Sequence, residues 1–268
     1  APQPCRATLP TLIDKYLFSE KVTLRDLRAP GGSTGDAAAW TVVGVYGRQA
    51  REALAGMLAG GALPQEPHAI AALEGAVFGA AGGADAAALS GWILAVPPET
   101  YSAPGWELIL PAAMAGQVFD ALRRSGLAPI GLAALGAASL EAAHPRFGAD
   151  FDDRNLPPET GLTQAYSLKK GCYIGQEVMA RIQTYGHVNR QLTALLIDGA
   201  APVPRDAEVY DGESKVGTVT SSIVSPTLNR PIALAYVARQ HRAPGTKLAV
   251  KIDAAGVVGA EVRGGGFV

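Results

Sequence analysis

Cysteine is nearly missing from this chain. Cys5 and Cys172 are the only two in 268 residues, and they stand far apart. Two remote thiols do not make a disulfide framework. Nor can they alone supply the four thiolates an iron–sulfur cluster usually takes, so no permanent cluster held by this chain is expected. There is no C-x-x-C, and His68, His144, His187 and His241 fall at no metal-ligand spacing, so no metal site is predicted. Long apolar runs are lacking too. The longest uncharged stretch that resembles a membrane span, "LAPIGLAALGAASL", has 14 residues and is broken by Pro129 and glycines, where a spanning helix needs about 20. The opening "APQPCRATLP" has no apolar core of the kind a secretory leader carries. A cytoplasmic protein with no membrane partner is the expectation. Charge of one sign is not in excess: 23 Lys and Arg stand against 24 Asp and Glu, which argues against a protein wrapped around nucleic acid.

What is present is apolar and organised. At 48% hydrophobic the chain can bury a substantial core, and its length allows one large domain or two or three smaller ones. "WTVVGVYGRQAREALAGMLAGG" (40–61) and "WELILPAAMAGQVFDALRRSGL" (106–127) share one recipe: Trp, a short apolar run, a Gly or Pro, then Ala and Leu at helical spacing ending at Gly. Each reads as a strand followed by a helix, which makes an internal pseudo-repeat, and "GWILAVPPE" (91–99) adds another strand. After Asn189 the texture changes to short β-rich runs split by Gly and Pro, such as "AEVYDGESKVGTVTSSIVSPT" and "PIALAYVA". The fold class is therefore α+β, with residues 1–190 an α+β region of two subdomains and residues 191–268 a small antiparallel barrel.

Charge is uneven along the middle of the chain. Residues 139–160 carry Glu141, Asp150, Asp152, Asp153 and Glu159 against Arg146 and Arg154; residues 167–190 carry Lys169, Lys170, Arg181 and Arg190 against Glu177. Such runs are ordinary solvated loop charge or the surroundings of a polar ligand. Within the second run lies "SLKKGCYIGQEVMARIQTYGHVNR". If 167–173 is extended, Lys170 and Cys172 share a face. Gly175 to Ile182 then reads as a helix, with Glu177 and Arg181 paired at i and i+4. A lysine and a helix N-terminus both favour thiolate, so Cys172 is a candidate reactive thiol. A lone cysteine is also among the most buried residue types, and by its spacing alone Cys172 reads first as an inert core thiol.

The string "KKGCYIGQEVMAR" resembles the K-G-C-Y-x-G-Q-E signature of the YgfZ-type folate-binding proteins, relatives of the glycine-cleavage T-protein. The resemblance extends to "PIGLAALGAASLEAAHPRFGADFDDRNLPPETGL" (129–162), to "SKVGTVTSSIVSPTLNRPIALAYV" (214–237) and to "TLIDKYLFSEKVTLRDL" (11–27). It implies α/β subdomains around a central hole that receives a tetrahydrofolate, followed by the barrel. The implied role is support of iron–sulfur client enzymes, whose clusters are assembled or repaired with folate. Lys170 and Cys172 fall at the implied catalytic positions. Gly171, Tyr173, Gly175, Gln176, Glu177 and Arg181 fall at the folate-binding ones. The family carries a further subdomain's worth of strands before the part matched by 11–27, so the N-terminal region is expected to be incomplete. The T-protein's threonine-glycine-glutamate-aspartate run is replaced by "YSAPGWEL" (101–108), which removes an acidic group there. Two alternatives stand beside the accessory role: a folate-dependent aminomethyltransferase of the glycine-cleavage type, and a non-catalytic interaction scaffold.

Overall fold

In Gly105–Pro111 every second side chain is large and apolar, and that alternation decides which face of a sheet is covered. Trp106, Leu108 and Leu110 are buried, while Glu107 and Ile109 between them are only half-buried. A computed structural model describes residues 8–16, 39–59, 63–73, 77–78, 87–88, 91–252 and 256–268. Cys5 and residues 17–27 of the segment matched at 11–27 lie outside them. The chain divides into two compact units, Ala1–Gly131 and Leu132–Val268.

The first unit contains α1 (Thr8–Tyr16), β1 (Trp40–Tyr46), α2 (Ala50–Met57), β2 (Leu58–Ala59), β3 (Ile70–Ala72), β4 (Val77–Phe78), β5 (Ala87–Ala88), β6 (Trp92–Val96), β7 (Gly105–Pro111) and α3 (Ala112–Arg124). Both strand-then-helix stretches read from the sequence are there, as β1 with α2 and β7 with α3. Strands β1, β7, β6 and β3 pair in that order, all antiparallel, with Gly44 opposite Glu107 and Leu94 opposite Glu107 on its other side. The short strands β2, β4 and β5 form a second antiparallel sheet. Leu54 of α2 and Val118 of α3 are buried with Ile93, Leu108 and Leu110 in one cluster. Each such fully buried side chain contributes about 1.5–3 kcal/mol.

The second unit starts with α4 (Leu132–Glu141), continues through 3-10 turns at Pro157–Thr160 and Thr163–Ala165 to α5 (Gln176–Tyr185), and ends in β8 (Arg190–Ile197), β9 (Glu208–Asp211), β10 (Ser214–Ser225), β11 (Arg230–Ala238), β12 (Lys247–Ile252) and β13 (Gly256–Arg263). These six strands close into an antiparallel barrel in the order β10-β11-β8-β13-β12-β9. Leu195, Ile197, Val219, Ala233, Ala235, Val250 and Val262 fill its interior. A second cluster, with Leu140 of α4, Phe267, Ala194, Leu196, Ile232 and Leu234, covers the outside of β8 and β11. Those two strands are thus buried on both faces, which is why "TALLI" and "PIALAYV" read as unbroken apolar runs rather than alternating ones. Gly217 permits a close crossing: a Cβ there would stand 2.4 Å from the Tyr236 carbonyl oxygen. From sequence the break in the chain falls at 190, where β8 begins. By compactness residues 132–189 go with the barrel.

Candidate functional site

The signature segment folds as a turn onto a helix. Gly175 caps α5 with φ of 85°, in the left-handed region that glycine adopts at little cost. The Gln176 side chain folds back, its Oε1 accepting from the Tyr173 N–H at 3.1 Å and its Nε2 lying 4.0 Å from the Cys172 sulfur. Residues 167–173 are not a strand. The Ser167 hydroxyl accepts from the N–H groups of both Lys169 and Lys170, which turns the chain there. The common face expected for Lys170 and Cys172 on an extended segment therefore does not arise. The Lys170 ammonium instead sits 5.1 Å over the Tyr173 ring, and the neighbour at the sulfur is an amide. Cys172 itself is exposed. Gly171, Glu177 and Arg181 are exposed as well, and Glu177 and Arg181 form no ion pair among the described residues. Met179 is the buried anchor of α5, whereas Ile174 and Val178 stand 59% and 48% exposed. The arrangement offers an accessible thiol beside an amide, on a segment that also carries exposed Lys169, Lys170 and Arg181.

A second set of chemical groups lies on the four-stranded sheet, on the face away from α2 and α3. There Trp40 stacks on Trp92, with centroids 5.0 Å apart and planes at 29°. The Tyr46 hydroxyl donates to Glu107 Oε1 at 2.9 Å, and the Tyr46 ring lies edge-on to Tyr101. Tyr46 reaches Glu107 over Gly44, where a Cβ would collide with its ring. Burial above all, and then the Glu107 carboxylate, push the Tyr46 phenol far above its ordinary range, so it stays a donor. A stacking surface beside a carboxylate acceptor suits a flat heterocycle with N–H donors. No motif in the sequence marks these residues. Their one local signal is Glu107, the lone charge in an apolar strand.

The acidic and basic runs of the middle segment meet in the second unit. Asp150 is buried and accepts three hydrogen bonds, from the Thr220 and Ser221 hydroxyls and the Arg146 N–H. A register shift in β10 between Val219 and Ser221 turns Thr220 toward it. Glu141 is likewise buried, accepting from the Ser225 hydroxyl and from the Thr227 N–H and hydroxyl. Two of the five acids in the run 139–160 thus pin α4 and the following loop to the barrel. Asp152, Arg154 and Arg190 line one cavity with Asp150.

Comparison with known proteins fits this architecture. Residues 190–268 match the profile of the glycine cleavage T-protein C-terminal barrel domain. The chain is 34% identical over 148 residues to the aminomethyltransferase of Thermosynechococcus vestitus, a match covering 55% of this chain and 40% of that protein. It is 37% identical over 150 residues to the aminomethyltransferase of Listeria monocytogenes, covering 55% and 41%. Against the aminomethyltransferase of Streptomyces avermitilis it is 36% identical over 168 residues, covering 60% and 42%. These matches span about two fifths of the length of the relatives. The crystal structure of glycine cleavage system aminomethyltransferase T from Bartonella henselae superposes with a TM-score of 0.60 at 19% identity, covering 85% of this chain and 84% of that one, a likeness of fold. Together they make the chain similar in fold and in part of its sequence to the glycine-cleavage T-protein. The YgfZ-type resemblance rests on the signature and on the segments 11–27, 129–162 and 214–237.

Proposed function

We propose that this chain is a tetrahydrofolate-dependent protein of the glycine-cleavage type, binding a reduced folate and acting on the one-carbon unit it carries. The observation that carries this reading is the sequence similarity to aminomethyltransferases, 34% over 148 residues in one case, together with the matching barrel. Local geometry supports a folate. The sheet face with Trp40, Trp92 and Glu107 suits a pterin, which stacks and donates N–H groups to a carboxylate. The signature segment offers Lys169, Lys170 and Arg181, exposed cations suited to a glutamyl carboxylate. These two surfaces belong to different units and are tested separately. Titration calorimetry with tetrahydrofolate should show saturable binding, weakened about tenfold by Glu107→Gln, since the charge that strengthens the acceptor is removed. Absence of heat at millimolar folate removes the folate reading.

A second reading is favoured by one observation. Cys172 is exposed in a complete K-G-C-Y-x-G-Q-E string, and aminomethyl transfer to a folate needs no thiol. It makes the chain an accessory protein that uses a bound folate in support of iron–sulfur enzymes. Two assays separate the readings. Transfer activity with the other glycine-cleavage components supports the first. Recovery of iron–sulfur enzyme activity in a cell lacking the protein, lost with Cys172→Ser while folate still binds, supports the second.

A further inference from the structure

The loop of residues 146–155 lies against the outside of the barrel, and beside it is a cavity of about 400 Å³. Its wall carries Arg154, Arg190, Arg205, Asp206 and Tyr236 in addition to Asp150 and Asp152. Much of this charge is already committed. Asp152 holds Arg154 through three N–H donations of 2.5 to 3.1 Å, and the three donors on Asp150 occupy its carboxylate. Two arginines are less engaged. Arg190 gives its Nε to Glu159 at 3.2 Å, and Arg205 gives Nη1 to the Thr220 carbonyl at 3.2 Å. Their other guanidinium donors meet no partner among the described residues.

Tyr236 supplies an independent observation. It is 8% exposed, on the outer face of β11, with the Arg190 guanidinium 4.9 Å above its ring. Its hydroxyl is buried and has no hydrogen-bond partner among the described residues. A buried hydroxyl without an acceptor is unfavourable, and in a native fold it calls for an explanation such as a missing ligand. Burial, and after it the Glu159 charge, push this phenol up to about 12, so at neutral pH it is a donor.

We propose that this cavity binds a small molecule through a carboxylate or phosphate group, held by the free donors of Arg190 and Arg205 and by the Tyr236 hydroxyl. Asp206, exposed at the rim, disfavours a polyanion and accepts from a donor elsewhere on the ligand. The site lies wholly within the unit Leu132–Val268 and does not depend on the folate reading. The test is calorimetric titration of the full chain with inorganic phosphate and, separately, with glutarate. Saturable binding of either is expected, and the tighter of the two identifies the ligand's acid group. Arg205→Gln, an exposed change that spares the fold, should weaken binding about tenfold or more through loss of a charge-assisted contact. Tyr236→Phe should act in two directions at once. It should raise the thermal midpoint of the free chain by about 2–4 °C through removal of an orphan donor, and should weaken the ligand several-fold. No saturable heat with either probe at about 10 mM overturns the proposal, because contacts of this kind saturate in the millimolar range. Binding left unchanged in both variants overturns it as well.

Discussion

A thiol at the surface meets reagents that a core thiol never sees, and Cys172 stands at the surface with the Gln176 amide near its sulfur. Cys172→Ser should therefore change stability by less than about 0.5 kcal/mol, since no apolar packing is lost. Iodoacetamide should label Cys172 in the native chain, read by peptide mass, as readily as in denaturant. Labelling that waits for unfolding would return the residue to a structural role. Two phenols make a different forecast. Tyr236 is pushed up to about 12, and Tyr46 beyond the ordinary range, each chiefly by burial. Unfolded phenols ionise near 10, so the stability these groups contribute is whole below that pH and is lost as pH rises through their folded values. Phenolate absorbance should show fewer ionised tyrosines in the native than in the urea-unfolded chain at about pH 11; superimposable titrations would contradict this. Little of it could be read from the string of residues. A single cysteine reads as a core residue by its type, whereas Cys172 is exposed, and Tyr46 meets Glu107 across 61 positions of sequence.

At the level of elements, hydrogen bonds between loop and strand matter most. The loop 146–155 is held to β10 by one buried carboxylate, Asp150, reached by a hydroxyl that a bulge presents. Asp150→Ala should cost about 2–3 kcal/mol, because three bonds go and the Ser221 hydroxyl loses its acceptor, while Thr220 keeps the Leu234 carbonyl. Urea unfolding measures the cost, and faster amide exchange confined to 146–155 would locate it. An unchanged midpoint would refute the pinning role. The strands and helices of 40–61 and 106–127 were legible because apolar spacing with period two gives way to helical spacing at a Gly or Pro. The bend at 167–173 was not, since it depends on where the Ser167 hydroxyl and the Gln176 amide find partners. The acidic run was legible as charge only. Which acids are buried is decided by Ser and Thr residues of β10 and its following turn, some 70 to 86 positions away.

On the scale of the molecule, the barrel was legible from its Gly and Pro punctuation, whereas the partner of α4 was not. An apolar helix announces that it needs covering, not what covers it. Because α4 packs on β8 and β11 through Leu140, residues 132–268 should fold when expressed alone, with one cooperative thermal transition and dispersed amide signals. A fragment starting at 190 would lack that helix and should be markedly less stable, by about 2–5 kcal/mol for the lost Leu140 contact alone. Barrel closure also governs time. The ladder that joins β8 to β13 sets Ile197 opposite Ala260, at opposite ends of the barrel's own sequence. That pairing cannot reward the chain until most of the intervening residues are ordered, so the entropy of closing a long loop is spent first and folding belongs to the slow, milliseconds-to-seconds class. During that wait one edge of the doubly apolar strand β8 stands unpaired, which makes the nascent chain, rather than the finished barrel, the state that a chaperone would have to guard.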